Sequence, residues 1–108
     1  TLDANGNPTS YVKKLTGKGT AYSARKGAKT ASGRYAVVGH VAVNPKVIPY
    51  GTKLYIKAAD GSFTYGYAIA ADTGTALMDG RVLVDLFFDT NQECYAFGAK
   101  KMEVYVLE

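Results

Sequence analysis

The sequence AADTGTALMDGRVLVDLFFD, residues 70–89, decides the fold because it holds two apolar strand patterns joined by a short connection. Four aspartates interrupt these patterns. Asp72 directly follows one apolar run, and Asp85 divides another. An ionised carboxylate costs several kcal/mol to bury without a partner. We therefore expect these two acids to have a functional or structural role that offsets this cost.

Asp85 lies inside the strand pattern of residues 82–88. Successive side chains of a strand point to opposite faces, so Asp85 shares its predicted face with Leu83 and Phe87. Burial between two large apolar groups disfavours the charged carboxylate and raises its pKa, as a general acid requires. The alternative is a structural salt bridge, with Arg81 or Arg34 as the partner.

Asp72 ends the preceding strand pattern, where alanines on its face leave room for a ligand or a second carboxylate. The glycine-containing connection 73–81 could bring Asp72 close to Asp85, and a close pair would share a proton. The alternative is that Asp72 only caps the turn after it. Asp79 fits a turn residue, and we expect Asp89 to help begin a helix.

The composition indicates a single domain with an ordinary core. The chain has 108 residues, of which 47% are hydrophobic and 20% charged, and this length is typical of one domain. The single Cys94 excludes an internal disulfide and a cysteine zinc site. We expect Cys94 to be buried and inert and His40 to face solvent, and we expect no metal and no cofactor.

The net charge of +4 comes from scattered lysines and arginines. This pattern argues against a nucleic acid partner and is compatible with an anionic polymer such as a bacterial wall. No apolar run is long enough to predict a membrane span. The chain begins at Thr1, so we interpret it as an excised fragment in which a missing signal peptide is uninformative. The oligomeric state stays open.

Turn signals divide the chain into a linker and a domain. Residues 1–9, TLDANGNPT, are predicted to be a linker remnant, and residues 10–108 the domain.

The sequence AADGSF predicts a hairpin turning at Asp60 and Gly61, and TNQE predicts a helix that begins at Thr90 and ends at Gly98. Many short strands with one helix predict a closed all-β barrel. The strand patterns lie near residues 11–15, 19–24, 36–43, 52–57, 63–71, 82–88 and 102–107.

Several spaced motifs together resemble a known family. They are GTAYSA (19–24), TASG (30–33), VAVNPKVIPYGTKLYI (41–56), GYAIAADTG (66–74), VDLFF (84–88) and CYAFGAKKMEVYVL (94–107). In this order they resemble the three-aspartate, or 3D, domain of secreted Gram-positive cell wall proteins, and they are similar to the catalytic domain of membrane-bound lytic transglycosylase A. The resemblance implies an all-β, double-psi β-barrel with one short helix near the C-terminus.

The resemblance also implies an activity and a location. The activity is that of a lytic transglycosylase, which cleaves MurNAc-GlcNAc bonds of peptidoglycan glycan strands to give 1,6-anhydro ends, in a secreted, cell-wall-associated protein. The family's third aspartate, the usual acid and base, falls on Asp85, and the second falls on Asp72. The residues expected to bind substrate are Asn44, Tyr22, Thr30, Gly33, Thr73 and Gly74.

Two departures from the family pattern keep alternatives open. The family's first aspartate is replaced by Asn44, and the connection between Asp72 and Asp85 is longer than usual, which leaves Asp79 as a minor rival for a site role. The missing carboxylate favours a non-catalytic module that binds cell wall glycan. A further alternative is a retroviral-type aspartic protease, since D-T-G at Asp72 resembles its triplet, although here the triplet lies late in the chain.

Overall fold

A computed structural model describes residues 2–24 and 27–107 as a closed barrel with two short helices. The elements are β1 (Lys13–Tyr22), β2 (His40–Ala42), β3 (Lys53–Ala58), β4 (Thr64–Asp72), α1 (Thr75–Met78), β5 (Val84–Phe87), α2 (Asn91–Phe97) and β6 (Lys100–Val106). The strands follow one another around the barrel in the order β1-β5-β2-β4-β3-β6. This is the double-psi β-barrel that the resemblance implied, with α1 as an additional short helix.

The short strand β2 is the centre of the arrangement that positions the aspartates. It pairs parallel with β4 on one side and antiparallel with β5 on the other, and β1 pairs parallel with β5. Ala42 is the register partner of Asp72 in β4 and of Asp85 in β5. The end of β4 and the middle of β5 therefore lie at the same level of the barrel.

The core fills the barrel with aliphatic side chains from alternating strand positions, as the period of two residues predicts. In β6, Met102 and Val104 are fully buried, and in β5 Val84 and Leu86 are fully buried. Gly19 in β1 faces this core, and a Cβ atom there would overlap Cγ of Met102. Large side chains can therefore fill the centre only because β1 carries a glycine at this point.

Three of the predicted strand patterns differ from the structure. The patterns at 11–15 and 19–24 form the single strand β1, because the intervening residues Thr16 to Lys18 pair with β6 as well. The pattern at 36–43 shrinks to β2, because the His40 amide donates to the Val37 carbonyl in a turn where Gly39 has a φ of 101°. The predicted hairpin is confirmed, since β3 and β4 pair antiparallel across Asp60 and Gly61.

Helix α2 begins and ends as predicted. The Thr90 Oγ1 accepts a hydrogen bond from the Glu93 amide at 3.1 Å, and Gly98 follows the helix with a φ of 67°. The capping side chain is Thr90 and not Asp89. Cys94 on α2 is half-buried, whereas we expected it to be fully buried. His40 is also half-buried, and its Nδ1 lies 2.7 Å from the Tyr35 carbonyl oxygen.

The described part of the N-terminal segment lies against the barrel. Asp3 Oδ1 accepts hydrogen bonds from the amides of Asn5 and Asn7. Asn7 Oδ1 in turn accepts a hydrogen bond from Nζ of Lys57 in β3 at 2.5 Å. The division into a linker remnant and a domain at residue 9 stays a prediction. Within residues 2–24 and 27–107, no helix is long and apolar enough to span a membrane.

Candidate functional site

Asp85 lies on the outside of the barrel, between two side chains that enter the core. Val84 and Leu86 belong to the core cluster, so the intervening Asp85 points away from it. Its register partner in β1 is Thr20, and Thr20 Oγ1 donates a hydrogen bond to Asp85 Oδ1 at 2.9 Å. The carboxyl is half-buried and has a fixed orientation.

The pKa of Asp85 is raised above the ordinary value of an aspartate. Burial is the largest cause, and the negative charge of Asp72 adds to it, whereas the hydrogen bond from Thr20 lowers the pKa and partly opposes both. Across the described residues, Asp85 has no ion-pair partner. Arg81 binds Asp79 at 2.8 Å, and Arg34 forms no salt bridge with Asp85. The structure thus contradicts the alternative of a structural salt bridge between Asp85 and Arg81 or Arg34.

Asp72 accepts hydrogen bonds from three different segments. Its Oδ1 accepts from the amides of Ala31 and Thr73, each at 2.9 Å, and its Oδ2 accepts from the Tyr22 hydroxyl at 3.3 Å. The bond from Thr73 is the turn cap that the sequence suggested. The other two donors are far away in sequence, so Asp72 also ties the end of β1 and the loop after it to β4.

The Tyr22 phenol is affected by both carboxyl groups. The pKa of its phenol is raised, first by burial and then by the negative charges of Asp72 and Asp85. Tyr22 therefore stays protonated and acts as a hydrogen-bond donor. Its ring contacts Phe87 edge to face, with centroids 5.4 Å apart, and this contact covers one side of the site next to Asp85.

The TASG turn lies beside the end of β4. The Ser32 amide donates to the Ala71 carbonyl at 3.0 Å. Thr30 is 6% exposed, and its hydroxyl donates to the Arg34 carbonyl at 3.0 Å, so the side chain that we expected in the groove serves the turn. Gly33 has a φ of 90°, a conformation that glycine adopts without strain.

The connection after Asp72 is anchored on the barrel. The carbonyl of Gly74 accepts hydrogen bonds from the Leu77 and Met78 amides and so begins α1. Leu77 and Val82 pack with Ala42 in a small second cluster. Thr73 Oγ1 is buried and has no hydrogen-bond partner within the described part of the chain. The longer connection is therefore a packed element beside the aspartates.

Asn44 and Asp79 form hydrogen bonds with partners other than the two carboxyls. Asn44 Oδ1 accepts a hydrogen bond from the Lys46 amide at 3.0 Å, and the residue lines a pocket of about 220 Å³. Asp79 is exposed and accepts hydrogen bonds from the amide and Nε of Arg81. Asp79 is thus the turn residue that the sequence indicated.

Two site groups were not predicted from the sequence. Thr20, the donor to Asp85, could have been found by alternation, since it lies two residues before Tyr22 in GTAY and shares its face. The amide of Ala31 has no such signal, because a backbone donor is available at any non-proline residue. Only the path of the turn brings it to Asp72.

The fold and this paired-aspartate site define the class of protein. The model of the 3D domain family matches residues 39–108, and the chain belongs to this family. The resemblance seen in the sequence is therefore confirmed. Family membership and the closed barrel leave the hypothesis of a retroviral-type aspartic protease without support.

Two curated proteins of Bacillus subtilis (strain 168) are similar to this chain. The cell wall-binding protein YocH is 34% identical over 113 residues, which cover 98% of this chain and 37% of YocH. YabE, whose name assigns it to cell wall shaping, is 39% identical over 67 residues, which cover 62% of this chain and 14% of YabE. The chain thus spans well under half the length of these relatives.

Solved structures of MltA from E. coli share the fold. One superposes with a TM-score of 0.61 at 24% identity, and covers 75% of this chain and 27% of that one. A structure of an MltA variant, described as a lytic transglycosylase in an apo form, gives a TM-score of 0.57 at 25% identity with the same coverage.

Proposed function

We propose that the domain is a lytic transglycosylase that cleaves MurNAc-GlcNAc bonds of peptidoglycan glycan strands and leaves 1,6-anhydro ends. The observation that carries this proposal is the half-buried Asp85, whose pKa is raised by burial and which has no cation beside it among the described residues. A carboxyl that keeps its proton is what a general acid needs. The names of YocH and YabE and the similarity to MltA support a cell wall substrate, and we place the protein outside the cell, at the wall.

In the proposed mechanism, Asp85 serves first as the acid and then as the base. It donates its proton to the glycosidic oxygen while the bond from C1 of the muramoyl residue to that oxygen breaks. The 6-hydroxyl of the same muramoyl residue then forms the new bond to C1, and the Asp85 carboxylate accepts the hydroxyl proton. The proton count balances and Asp85 returns to its starting state.

One carboxyl group is sufficient for this reaction. Glycosidases that use water need a second carboxylate to activate the water or to act as the nucleophile. Here the nucleophile belongs to the sugar itself, so its proximity replaces the activation that a free water would need. The absence of an acid at Asn44 is therefore compatible with catalysis.

The neighbouring groups have positioning roles in this mechanism. Thr20 holds the Asp85 carboxyl through the 2.9 Å hydrogen bond. The charge of Asp72 keeps the pKa of Asp85 raised, and Asp72 together with Tyr22 presents an acceptor and a donor to sugar hydroxyls. The half-buried ring of Tyr22, which packs on the buried Phe87, also offers an apolar surface that suits the face of a sugar ring.

The products of digestion test the proposal. Purified peptidoglycan is incubated with the chain, and the soluble fragments are analysed by mass spectrometry. We expect anhydro-muropeptides, lighter by the mass of water than the corresponding reducing-end fragments, and no such fragments with Asp85→Asn. Reducing ends alone would identify a hydrolase, and cuts in the peptides alone would identify another class of enzyme.

The second candidate function is binding without cleavage. Asn44 favours it, because a carboxylate that the family pattern places there is replaced by an amide, and YocH is named a cell wall-binding protein. In this case the chain would sediment with insoluble peptidoglycan and release no soluble fragments. The same sample analysed for both sedimentation and fragments separates the two candidates.

A further inference from the structure

A pocket of about 220 Å³ lies next to the Asp85 site. Its lining includes Lys18, Asn44 and Leu83. Thr20, Asp85 and Ala42 are register neighbours and form a row across β1, β5 and β2. In the sequence, Lys18 lies two residues before Thr20, Leu83 two residues before Asp85, and Asn44 two residues after Ala42.

The strand directions place Lys18, Leu83 and Asn44 on the same side of that row. Lys18 precedes Thr20 on β1, and Leu83 lies just before β5, which runs parallel to β1. Asn44 lies just beyond the end of β2, which runs antiparallel to β5. Two residues of a strand span about 7 Å. The pocket therefore begins about one sugar ring away from the row that contains Asp85.

The pocket combines positive charge with an apolar wall. Lys18 is exposed, and Arg81 is bound to Asp79 through Nε alone, which leaves its terminal amino groups outside that contact. Lys18 and Arg81 together with Asp79 have one net positive charge. The apolar wall consists of residues such as Ile48 and Leu77, which are almost fully buried.

The described lining of this pocket contains no carboxylate. Asn44 contributes a neutral amide, and the connection after Asp72 contributes Arg81. The connection is also fixed, since Leu77 and Val82 pack on Ala42. A preorganised pocket with an exposed guanidinium suits a carboxylate, which guanidinium groups bind with two parallel hydrogen bonds.

On the basis of the proposed function, we propose that this pocket binds a carboxylate carried by the muramoyl residue at the cleavage position. The lactyl group of that residue is attached at C3 of the same ring whose C1 bond is cleaved beside Asp85. Its methyl group fits the apolar wall, and the carboxylate points toward Lys18 and Arg81. The carboxylate has two sources. It is the free lactyl carboxylate in a peptide-free glycan, or a carboxylate of the peptide stem where the stem is joined to the lactyl group by an amide bond.

Binding measurements with three soluble probes test this inference. The probes are peptide-free muramoyl glycan, the same glycan with its peptide stems, and a chitooligosaccharide of equal length that lacks lactyl groups. The titrated protein is the whole chain carrying Asp85→Asn, so that cleavage does not disturb the calorimetry. We expect Arg81→Gln and Asn44→Asp each to weaken binding of a carboxylate-bearing glycan about tenfold, and to leave binding of the chitooligosaccharide unchanged.

Lys13→Gln is the matched control, because Lys13 is an exposed lysine on the same strand as Lys18 but outside the pocket. We expect it to leave the affinities for all three probes unchanged. If the two pocket variants weaken binding of the peptide-free glycan, the ligand is the lactyl carboxylate. If they weaken binding of the stem-bearing glycan alone, the ligand is a carboxylate of the stem.

The inference is overturned if the pocket variants leave both muramoyl affinities unchanged, or if they weaken chitooligosaccharide binding equally. It is also overturned if none of the probes binds. Because the measurement is binding, a chain that binds with this charge dependence but releases no anhydro-muropeptides contradicts the proposed function alone. A chain that cleaves without this charge dependence contradicts the pocket alone.

Discussion

Asp72 and Asp85 flank Ala42 from opposite sides, each as its register partner. Two strand spacings separate their Cα atoms by about 10 Å. Each carboxyl has its own donors, which are Thr20 for Asp85 and Tyr22 with two backbone amides for Asp72. The sequence suggested a pair that shares one proton. The structure instead shows two separately held groups that influence each other through charge.

Asp85→Asn is expected to abolish glycan cleavage and to preserve the fold. The amide cannot donate an acidic proton to the glycosidic oxygen, and loss of a general acid costs at least about 100-fold in rate. The release of soluble muropeptides measures activity, and circular dichroism measures the fold. Asp79→Asn is the matched control, since it changes an exposed turn aspartate. Near-normal cleavage by a folded Asp85→Asn chain would falsify the role of Asp85.

Thr20→Val is expected to move the alkaline limb of the pH-activity profile upward. The hydroxyl of Thr20 lowers the pKa of Asp85, so its removal raises the pKa further and the acid keeps its proton to a higher pH. The pH profile of cleavage of soluble glycan strands measures the shift. Thr64→Val, an exposed threonine at the start of β4, should leave the limb in place. A downward shift would contradict the assignment of the limb to Asp85.

Asp72→Asn is expected to move the same limb in the opposite direction. The charge of Asp72 raises the pKa of Asp85, so its removal lowers that pKa and the acid loses its proton at a lower pH. An asparagine keeps the Oδ1 acceptor for the Ala31 and Thr73 amides, so the turn is retained. An unchanged pH profile would mean that Asp72 acts only through hydrogen bonds.

Asn44→Asp is expected to shift the alkaline limb upward without loss of activity. A carboxylate at this position adds a negative charge near Asp85, and like charges raise the pKa of a neighbouring acid. The pH profile is measured at a saturating concentration of glycan, so that weaker binding in the pocket does not change the measured cleavage rate. An unchanged limb would place position 44 too far from Asp85 to interact. Activity gained from an inactive parent would identify the natural domain as a binding module.

Gly19→Ala is expected to destabilise the barrel. The new Cβ atom would overlap Cγ of the buried Met102, and such overpacking costs about 1–3 kcal/mol. The free energy of unfolding in urea measures the effect. Gly74→Ala is the control, because its Cβ atom would meet only Leu77 Cδ1, at an ordinary contact distance of 3.9 Å. Equal stability of the two variants would show that the core around Met102 adapts.

Local patterns predicted much of the barrel. Apolar alternation located the cores of β3, β4 and β6, the TNQE motif located α2, and Asp60 with Gly61 located the hairpin. These features depend on residues close in sequence, where side-chain period, capping and turn preferences act directly. The order of spaced motifs predicted the family, and the alternation around Asp85 predicted its raised pKa.

By itself, then, the sequence determined the strand faces, the helix caps and which carboxyl would be partly buried. The tertiary structure decided the rest, namely that β1 runs unbroken along β6, that Thr20 is the partner of Asp85, and that Asn44 and Arg81 meet in one pocket. The physical reason is distance along the chain. Barrel closure pairs Thr20 with a residue 65 positions away, and strand register between such remote segments depends on how all six strands close together, which no local pattern of residues specifies.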